Sequence, residues 1–175
     1  MQAGKFIRRF FLPTPLLTLI YMLKFKAKVS PRAEVELSPY LILGRGCQIS
    51  SFCKIKAAAG PLKIGSNVHI GSNCFISSGK AGVDIGNDCM VGPNVTIIGN
   101  NHRYDRLDVP IRMQGWTSKG IRIGSNVWIG AGVSILDGAI IEDGVIVTPN
   151  SVVSGKVLAN SIFQGNPGKV VFVRR

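Results

Sequence analysis

The sequence predicts an all-β chain, a left-handed parallel β-helix of about five to six coils. Three observations predict it. An aliphatic residue recurs every six positions: Leu43, Ile49, Ile55; Ile64, Ile70, Ile76; Ile85, Val91, Ile97; Ile123, Ile129, Ile135; Ile141, Val147, Val153; and a last member, Ala159. Glycine follows many of them directly, as at Gly65, Gly71, Gly86, Gly92, Gly124 and Gly130, and asparagine often comes two residues later, as at Asn67, Asn73, Asn94 and Asn126. The steps that break the period, Ile55 to Ile64, Ile76 to Ile85 and Ile97 to Ile123, all fall after the third hexad of a coil. A solenoid takes insertions only at its turns, so these steps mark one shared corner of a three-sided prism. Such a coil winds against the right-handed crossover rule.

Composition narrows the function. The 175 residues suffice for one domain, and no Gly-X-Y period exists, so collagen is excluded despite 21 glycines. Twenty-one basic residues against nine acidic give +12, which predicts an anionic partner or surface. His69 and His102 are the only histidines, so any site that needs three imidazoles from one chain is ruled out. Cys47, Cys53, Cys74 and Cys89 each lie four residues after a series member, where the coil interior takes a small side chain. They read as buried, reduced core residues and suit a reducing compartment. No metal site is expected from them.

Three segments follow in order. Residues 1–28 carry Lys5, Arg8, Arg9, Lys24, Lys26 and Lys28 without an acid, around the apolar run 10–23. Fourteen residues fall short of the roughly 20 that span a bilayer, and Pro13 and Pro15 would interrupt a helix near its start. The segment reads as partly helical, lying in a membrane interface with its basic residues on anionic headgroups; the other reading packs it on its own domain or a neighbouring subunit. Residues 29–165 form the β-helix, and 166–175 a basic tail. His69 takes the outward sixth place of its hexad and reads as a surface residue.

Core positions of a solenoid are occupied by packing, so chemistry falls to corners and insertions. The longest insertion, about 98–121, holds His102, Tyr104, Asp105, Asp108, three arginines and Trp116. Its Asn101-His102-Arg103-Tyr104 and Pro110-Ile111-Arg112-Met113-Gln114-Gly115 runs are followed by Ile123-Gly124-Ser125-Asn126-Val127-Trp128-Ile129-Gly130-Ala131-Gly132 and by Gly165-Asn166-Pro167-Gly168-Lys169-Val170. In these motifs residues 40–171 resemble the hexapeptide acyltransferases, most closely the O-acetyltransferases of bacterial capsule and lipopolysaccharide sugars and the maltose and galactoside acetyltransferases.

The resemblance implies a homotrimer that takes acetyl-CoA as co-substrate, uses no metal, and binds a sugar or glycan acceptor; the basic and apolar segment 1–28, read as lying on a membrane, is what points to a lipid-linked glycan. The resemblance also implies that His102 is the general base. An imidazole near pKa 6.5 suits removal of a hydroxyl proton at neutral pH. It implies acceptor contacts near Ser77 and Asp84, with Asn101 and Tyr104 of the loop as further acceptor candidates; by the logic of a triad, Asp105 or Asp108 would orient the imidazole. The donor would lie along Trp128, Ala131, Pro149, Ser154, Gly155 and Lys169, with Arg174 or Arg175 beside the lysine at the nucleotide phosphates. Thr148-Pro149-Asn150 departs from the family's small-residue turn, and Pro149 has no N–H to donate.

The expected activity is sugar O-acetylation in surface polysaccharide biosynthesis, at the cytoplasmic side where acetyl-CoA is found, peripheral contact with an anionic inner membrane face included. N-acetylation of a nucleotide-linked amino sugar is the alternative within the enzyme class. A non-catalytic, membrane-docked β-helix scaffold is the alternative outside it. A γ-type carbonic anhydrase fails on its histidine count. Nucleic acid is not an expected partner.

Overall fold

The computed structural model describes residues 14–175. Each hexad contributes one short strand whose aliphatic residue points inward while its neighbours point out, as strand alternation requires. The first coil is β1 (Lys28–Val29), β2 (Glu34–Val35) and β3 (Leu41–Leu43); the second is β4 (Gln48–Ile49), β5 (Lys54–Lys56) and β6 (Leu62–Ile64). The third is β7 (His69–Ile70), β8 (Phe75–Ser77) and β9 (Val83–Ile85). The fourth is β10 (Met90–Val91) and β11 (Thr96–Ile98), then the long insertion with its own strands β12 (Asn101–His102) and β13 (Trp116–Thr117), then β14 (Ile121–Ile123). Two more coils follow: β15 (Trp128–Ile129), β16 (Ser134–Leu136), β17 (Ile140–Ile141); and β18 (Ile146–Val147), β19 (Val152–Val153), β20 (Lys156–Val157). β21 (Ser161–Gly165) opens a further turn, and β22 (Gly168–Val173) folds back on it antiparallel.

Three sheets make the prism. The first face stacks β1, β4, β7, β10, β15, β18 and β21, with β22 at its edge. The second stacks β2, β5, β8, β11, β16 and β19, and the third β3, β6, β9, β14, β17 and β20. The column Leu43, Ile64, Ile85, Ile123, Ile141 and Val157 runs in register down the third face. Ile64, Ile70, Ile76, Ile85, Ile97, Ile129 and Ile135 are fully buried in the interior. The four cysteines are buried free thiols, as their register predicts. The Cys53 Sγ donates to Gly71 O at 3.0 Å and the Cys89 Sγ to Gly124 O at 3.1 Å, one coil on. Burial pushes the Cys47 and Cys89 thiols up, which keeps them protonated and unreactive.

The insertions share the corner between the second and third faces, where β5 leads to β6, β8 to β9 and β11 to β14. Elsewhere the turns superpose tightly. A Cβ on Gly92 would lie 2.7 Å from Ala131 N, so only glycine passes there. Asn67, Asn73, Asn94, Asn126, Asn150 and Asn160 turn the chain with positive φ, a conformation asparagine accepts more readily than most residues.

The hexad count departs from the structure at both ends. Ahead of Leu43, Val29 and Val35 are interior members of a first coil whose step to Leu43 is not six, so the count passes over it. At the other end Ala159 is exposed and Val157 takes the interior place, paired with Ile141. The last coil is shortened at the corner that elsewhere absorbs insertions.

α1 (Thr14–Phe25) closes the N-terminal end of the prism. Pro15 sits in its first turn, where a missing N–H is harmless, so it does not interrupt the helix as expected; Pro13 and the run before it lie outside the described residues. Leu17 and Phe25 pack on the core, and Tyr21 is buried with its hydroxyl donating to Val35 O at 3.0 Å. Burial, with the Glu36 charge adding to it, pushes the Tyr21 phenol up to about 12.

The raised phenol gives a signed prediction. The unfolded chain ionises Tyr21 near its ordinary value of about 10 and the folded chain only near 12. Its contribution is therefore complete below pH 10 and lost as pH climbs toward 12. Tyr21→Phe should cost about 1 kcal/mol at neutral pH, by leaving Val35 O unpaired. It should also flatten the fall in stability above pH 10, measured by denaturant titration. Parallel pH curves for the two proteins would contradict this.

Candidate active site

The long insertion stands on the third-face side of coil four as a two-stranded stem. β12 pairs β13 antiparallel, with Asn101 opposite Thr117 and His102 opposite Trp116. The Ser118 hydroxyl donates to Gly99 O at 2.5 Å, and the Asp137 carboxylate accepts the N–H groups of Lys119 at 2.8 Å and Gly120 at 2.9 Å. These bonds tie the base of the stem to coils four and five. Gln114 staples the tip: its Nε2 donates to Arg106 O and Val109 O, both at 2.7 Å, and its Oε1 accepts Arg106 N–H at 3.0 Å. A 3-10 turn, Ile111–Met113, follows Pro110. Tyr104, Leu107, Ile111, Met113 and Trp116 remain exposed, an apolar set unusual for a solvated loop.

His102 is partly buried, and its ring lies against the Trp116 indole at 3.5 Å between centroids, tilted by 35°. Its Nδ1 is buried and has no hydrogen-bond partner among the described residues. The expectation that Asp105 or Asp108 orients the imidazole is therefore corrected. Asp108 is held by Arg106, Nη2 to Oδ2 at 2.6 Å and Nε to Oδ1 at 3.2 Å, and that guanidinium keeps its carboxyl below the ordinary carboxylate range. Asp105 is exposed and makes no bond to the ring. The group in contact with the imidazole is Trp116, a residue the sequence offers but whose pairing with His102 only the folded stem reveals.

At the foot of the stem, where Lys119 and Gly120 line it, the third face carries a shallow groove of about 550 Å³. Asp84 lies in it between Lys63 and Arg122, its register neighbours on β6 and β14. Lys119, three residues beyond Trp116, lines the same groove. None of these four side chains is in an ion pair among the described residues. Of the expected acceptor residues, Asp84 is in the groove. Ser77 ends β8, half-buried on the second face in register with Ile98. Asn101 and Tyr104 are exposed in the loop, and the Asn101 Oδ1 accepts the His102 N–H at 3.0 Å. The lysines and arginine of the groove escaped the sequence reading, because they come from strands far apart in the chain.

The expected donor residues fall on two corners. Ala131 and Pro149 stack in adjacent coils where the first face meets the second; Asn150 N–H donates to Ala131 O at 2.9 Å. The turn between β21 and β22 folds onto the same corner, with Gly165 N–H donating to the Ser151 hydroxyl at 2.9 Å. It brings exposed Lys169 there, paired with Gln164. Trp128 is half-exposed on the adjoining first face, between Met90 and Ile146 in register. Ser154 and Gly155 lie at the next corner, the one from which the histidine stem rises two coils earlier. The N–H groups of Ala131 and Gly155 have no acceptor among the described residues. The expectation that Arg174 joins Lys169 is corrected. β22 carries Arg174 roughly 16 Å away at about 3.3 Å per residue, where its Nη1 donates to Gly144 O at 2.7 Å.

Comparison with known proteins bears on the fold that carries these residues. A family profile described as "Bacterial transferase hexapeptide (six repeats)" matches residues 120–155, and one described as "Hexapeptide repeat of succinyl-transferase" matches residues 61–101. No curated protein matches the chain. Among solved structures, AntD, an N-acyltransferase from Bacillus cereus in complex with dTDP and 3-hydroxybutyryl-CoA, superposes with a TM-score of 0.78 at 18% identity, over 90% of this chain and 87% of that one. The polySia-specific acetyltransferase NeuO gives 0.62 at 25% identity, over 75% of this chain and 60% of that one. The acetyltransferase domain of PglB from Neisseria gonorrhoeae FA1090 gives 0.64 at 18%, over 83% and 57%. With repeat, fold and both profiles in agreement, the coil is a left-handed parallel β-helix built on hexapeptide repeats of the kind the two transferase profiles describe.

Proposed function

We propose that this chain transfers an acetyl group from acetyl-CoA to a sugar hydroxyl in the biosynthesis of bacterial surface polysaccharide, capsule or lipopolysaccharide. One observation carries the reading. A single imidazole, His102, stands on a stem whose foot, at Lys119 and Gly120, lines an exposed groove, and it is braced by Trp116 rather than tied up by a carboxylate. In the proposed reaction the acceptor oxygen attacks the thioester carbonyl carbon while His102 takes the hydroxyl proton. The C–S bond then breaks, and the imidazolium returns the proton to the departing thiolate, so the enzyme ends as it began. Such a base contributes about 10²–10⁴-fold.

The donor path would pass Trp128 and the free N–H of Ala131, with Ser154 and Gly155 toward the thioester and Lys169 toward the phosphates. Pro149 contributes shape there and no hydrogen bond. Ser77, Asp84, Asn101 and Tyr104 would serve the acceptor, and Lys63, Lys119 and Arg122 around Asp84 favour one carrying negative charge. The exposed apolar loop residues support a homotrimer in which the stem meets a neighbour. The use of acetyl-CoA puts the reaction in the cytoplasm. Residues 29–165 would be the catalytic coil, with 1–28 and 166–175 as its flanking segments.

A second reading, N-acylation of a nucleotide-linked amino sugar, draws on AntD, which was crystallised with dTDP-4-amino-4,6-dideoxyglucose and coenzyme A. The two separate on the product. Incubation with acetyl-CoA and either hydroxyl-only glycans or amino-sugar nucleotides should yield an alkali-labile ester with the former. An alkali-stable amide formed with the latter alone would overturn the O-acetyl reading.

His102→Ala should lower kcat by about 10²–10⁴ while coenzyme A affinity stays unchanged, because the base acts only in the transition state. Trp116→Ala should lower kcat more than it raises KM, and Trp116→Phe should recover most of the loss. A His102→Ala protein with more than about a tenth of normal kcat would remove the base from the reading.

Light scattering should give about three times the 18.8 kDa chain mass. A monomer with full turnover would refute the shared site.

A further inference from the structure

We propose that α1 is a docking surface that seats the prism, by its N-terminal end, on an anionic lipid bilayer. The helix is apolar on every side, yet only one side is covered. Leu17, Tyr21 and Phe25 face the coil, while Leu16, Leu19, Met22 and Leu23 are exposed, Leu23 by 70%. Leu16, Leu19, Leu23 and Lys26 follow the spacing of one helical stripe. A helix apolar all round is not stable in water on its bare side, so something covers it.

Charge identifies the cover. Lys24 closes the last helical turn, Lys26 caps the helix with positive φ, and Lys28 opens β1, all three exposed at the end of the stripe. The sequence ahead adds Lys5, Arg8 and Arg9, and no carboxylate occurs before Glu34. Glu34 pairs with Lys54 at 3.3 Å, and Glu36 accepts Ala57 N–H at 3.0 Å, so the nearest acids are engaged elsewhere. A second copy of this chain would bury the leucines but would bring its own lysines against these. A bilayer with anionic headgroups satisfies both halves, since leucines enter the acyl boundary and lysines meet phosphates.

The element has the length for lying flat and not for crossing. Its 12 residues reach about 18 Å, against a hydrocarbon core of about 30 Å. No described helix is long and apolar enough to span a membrane. The histidine stem leaves coil four, three coil spacings or roughly 14 Å from the first coil. A glycan displayed on a lipid would be within reach of that height.

The test is co-sedimentation of the full chain with vesicles of phosphatidylcholine alone or mixed with phosphatidylserine, at low and high salt. Two double variants accompany it, Leu19→Glu/Leu23→Glu and Lys24→Gln/Lys26→Gln. Both leave Leu17, Tyr21 and Phe25 in place, so their melting and assembly mass should match the parent. The parent should pellet with the anionic vesicles and be released by salt. Each variant should bind at least about tenfold more weakly, since one lysine at such a surface is worth roughly fivefold. A parent that stays in the supernatant, or that binds neutral vesicles equally and ignores salt, overturns the proposal. So does a leucine variant whose assembly mass changes, because a second copy is then what covers the stripe. None of these readouts depends on acyl transfer.

Discussion

Successive coils must superpose, and the rest of the molecule follows from that. Parallel ladders hold adjacent strands about 4.8 Å apart, so every turn lies almost in contact with the turn one coil away. Gly92 is glycine because Ala131 N occupies the place of its side chain. Asn67, Asn94 and Asn126 adopt positive φ because each turn repeats the same bend. The small interior places take valine, alanine or cysteine, and the thiols use the spare carbonyls of the coil beyond. Extra chain has to leave the stack at a corner, and one corner takes it all.

That corner is where chemistry becomes possible. A stem rising from coil four is anchored by its own strand pairing and by Asp137 one coil on, so its side chains are held by a rigid scaffold. Trp116 can stack on His102 only because the stem is antiparallel in this register. The groove beside it gathers charge from β6, β9 and β14 with Lys119 at the stem's foot, four residues brought together by stacking alone.

The interior period was legible because one side chain per hexad decides each strand. It misled where the step was not six. Val29, Val35 and Leu43 form a coil that strict counting passes over, and Val157 replaces Ala159 after a shortened corner. His102 stood out as a titratable group in the one long insertion. Its ring neighbour Trp116 did not: the two aspartates were the chemically obvious choice, but Arg106 captures Asp108 from two residues away. Lys63 and Arg122 were invisible as partners of Asp84, since cross-strand neighbours one coil apart have no fixed separation when corners vary in length.

A crystal structure with coenzyme A bound tests the central claim most directly. The account predicts the pantetheine arm passing Ala131 and Gly155 to the corner of the histidine stem. Its sulfur should come near the His102 imidazole, close enough for an acceptor oxygen to sit about 3–3.5 Å from the carbonyl carbon of an acyl thioester. Coenzyme A seated with its sulfur on another face of the prism, away from the stem, would contradict it.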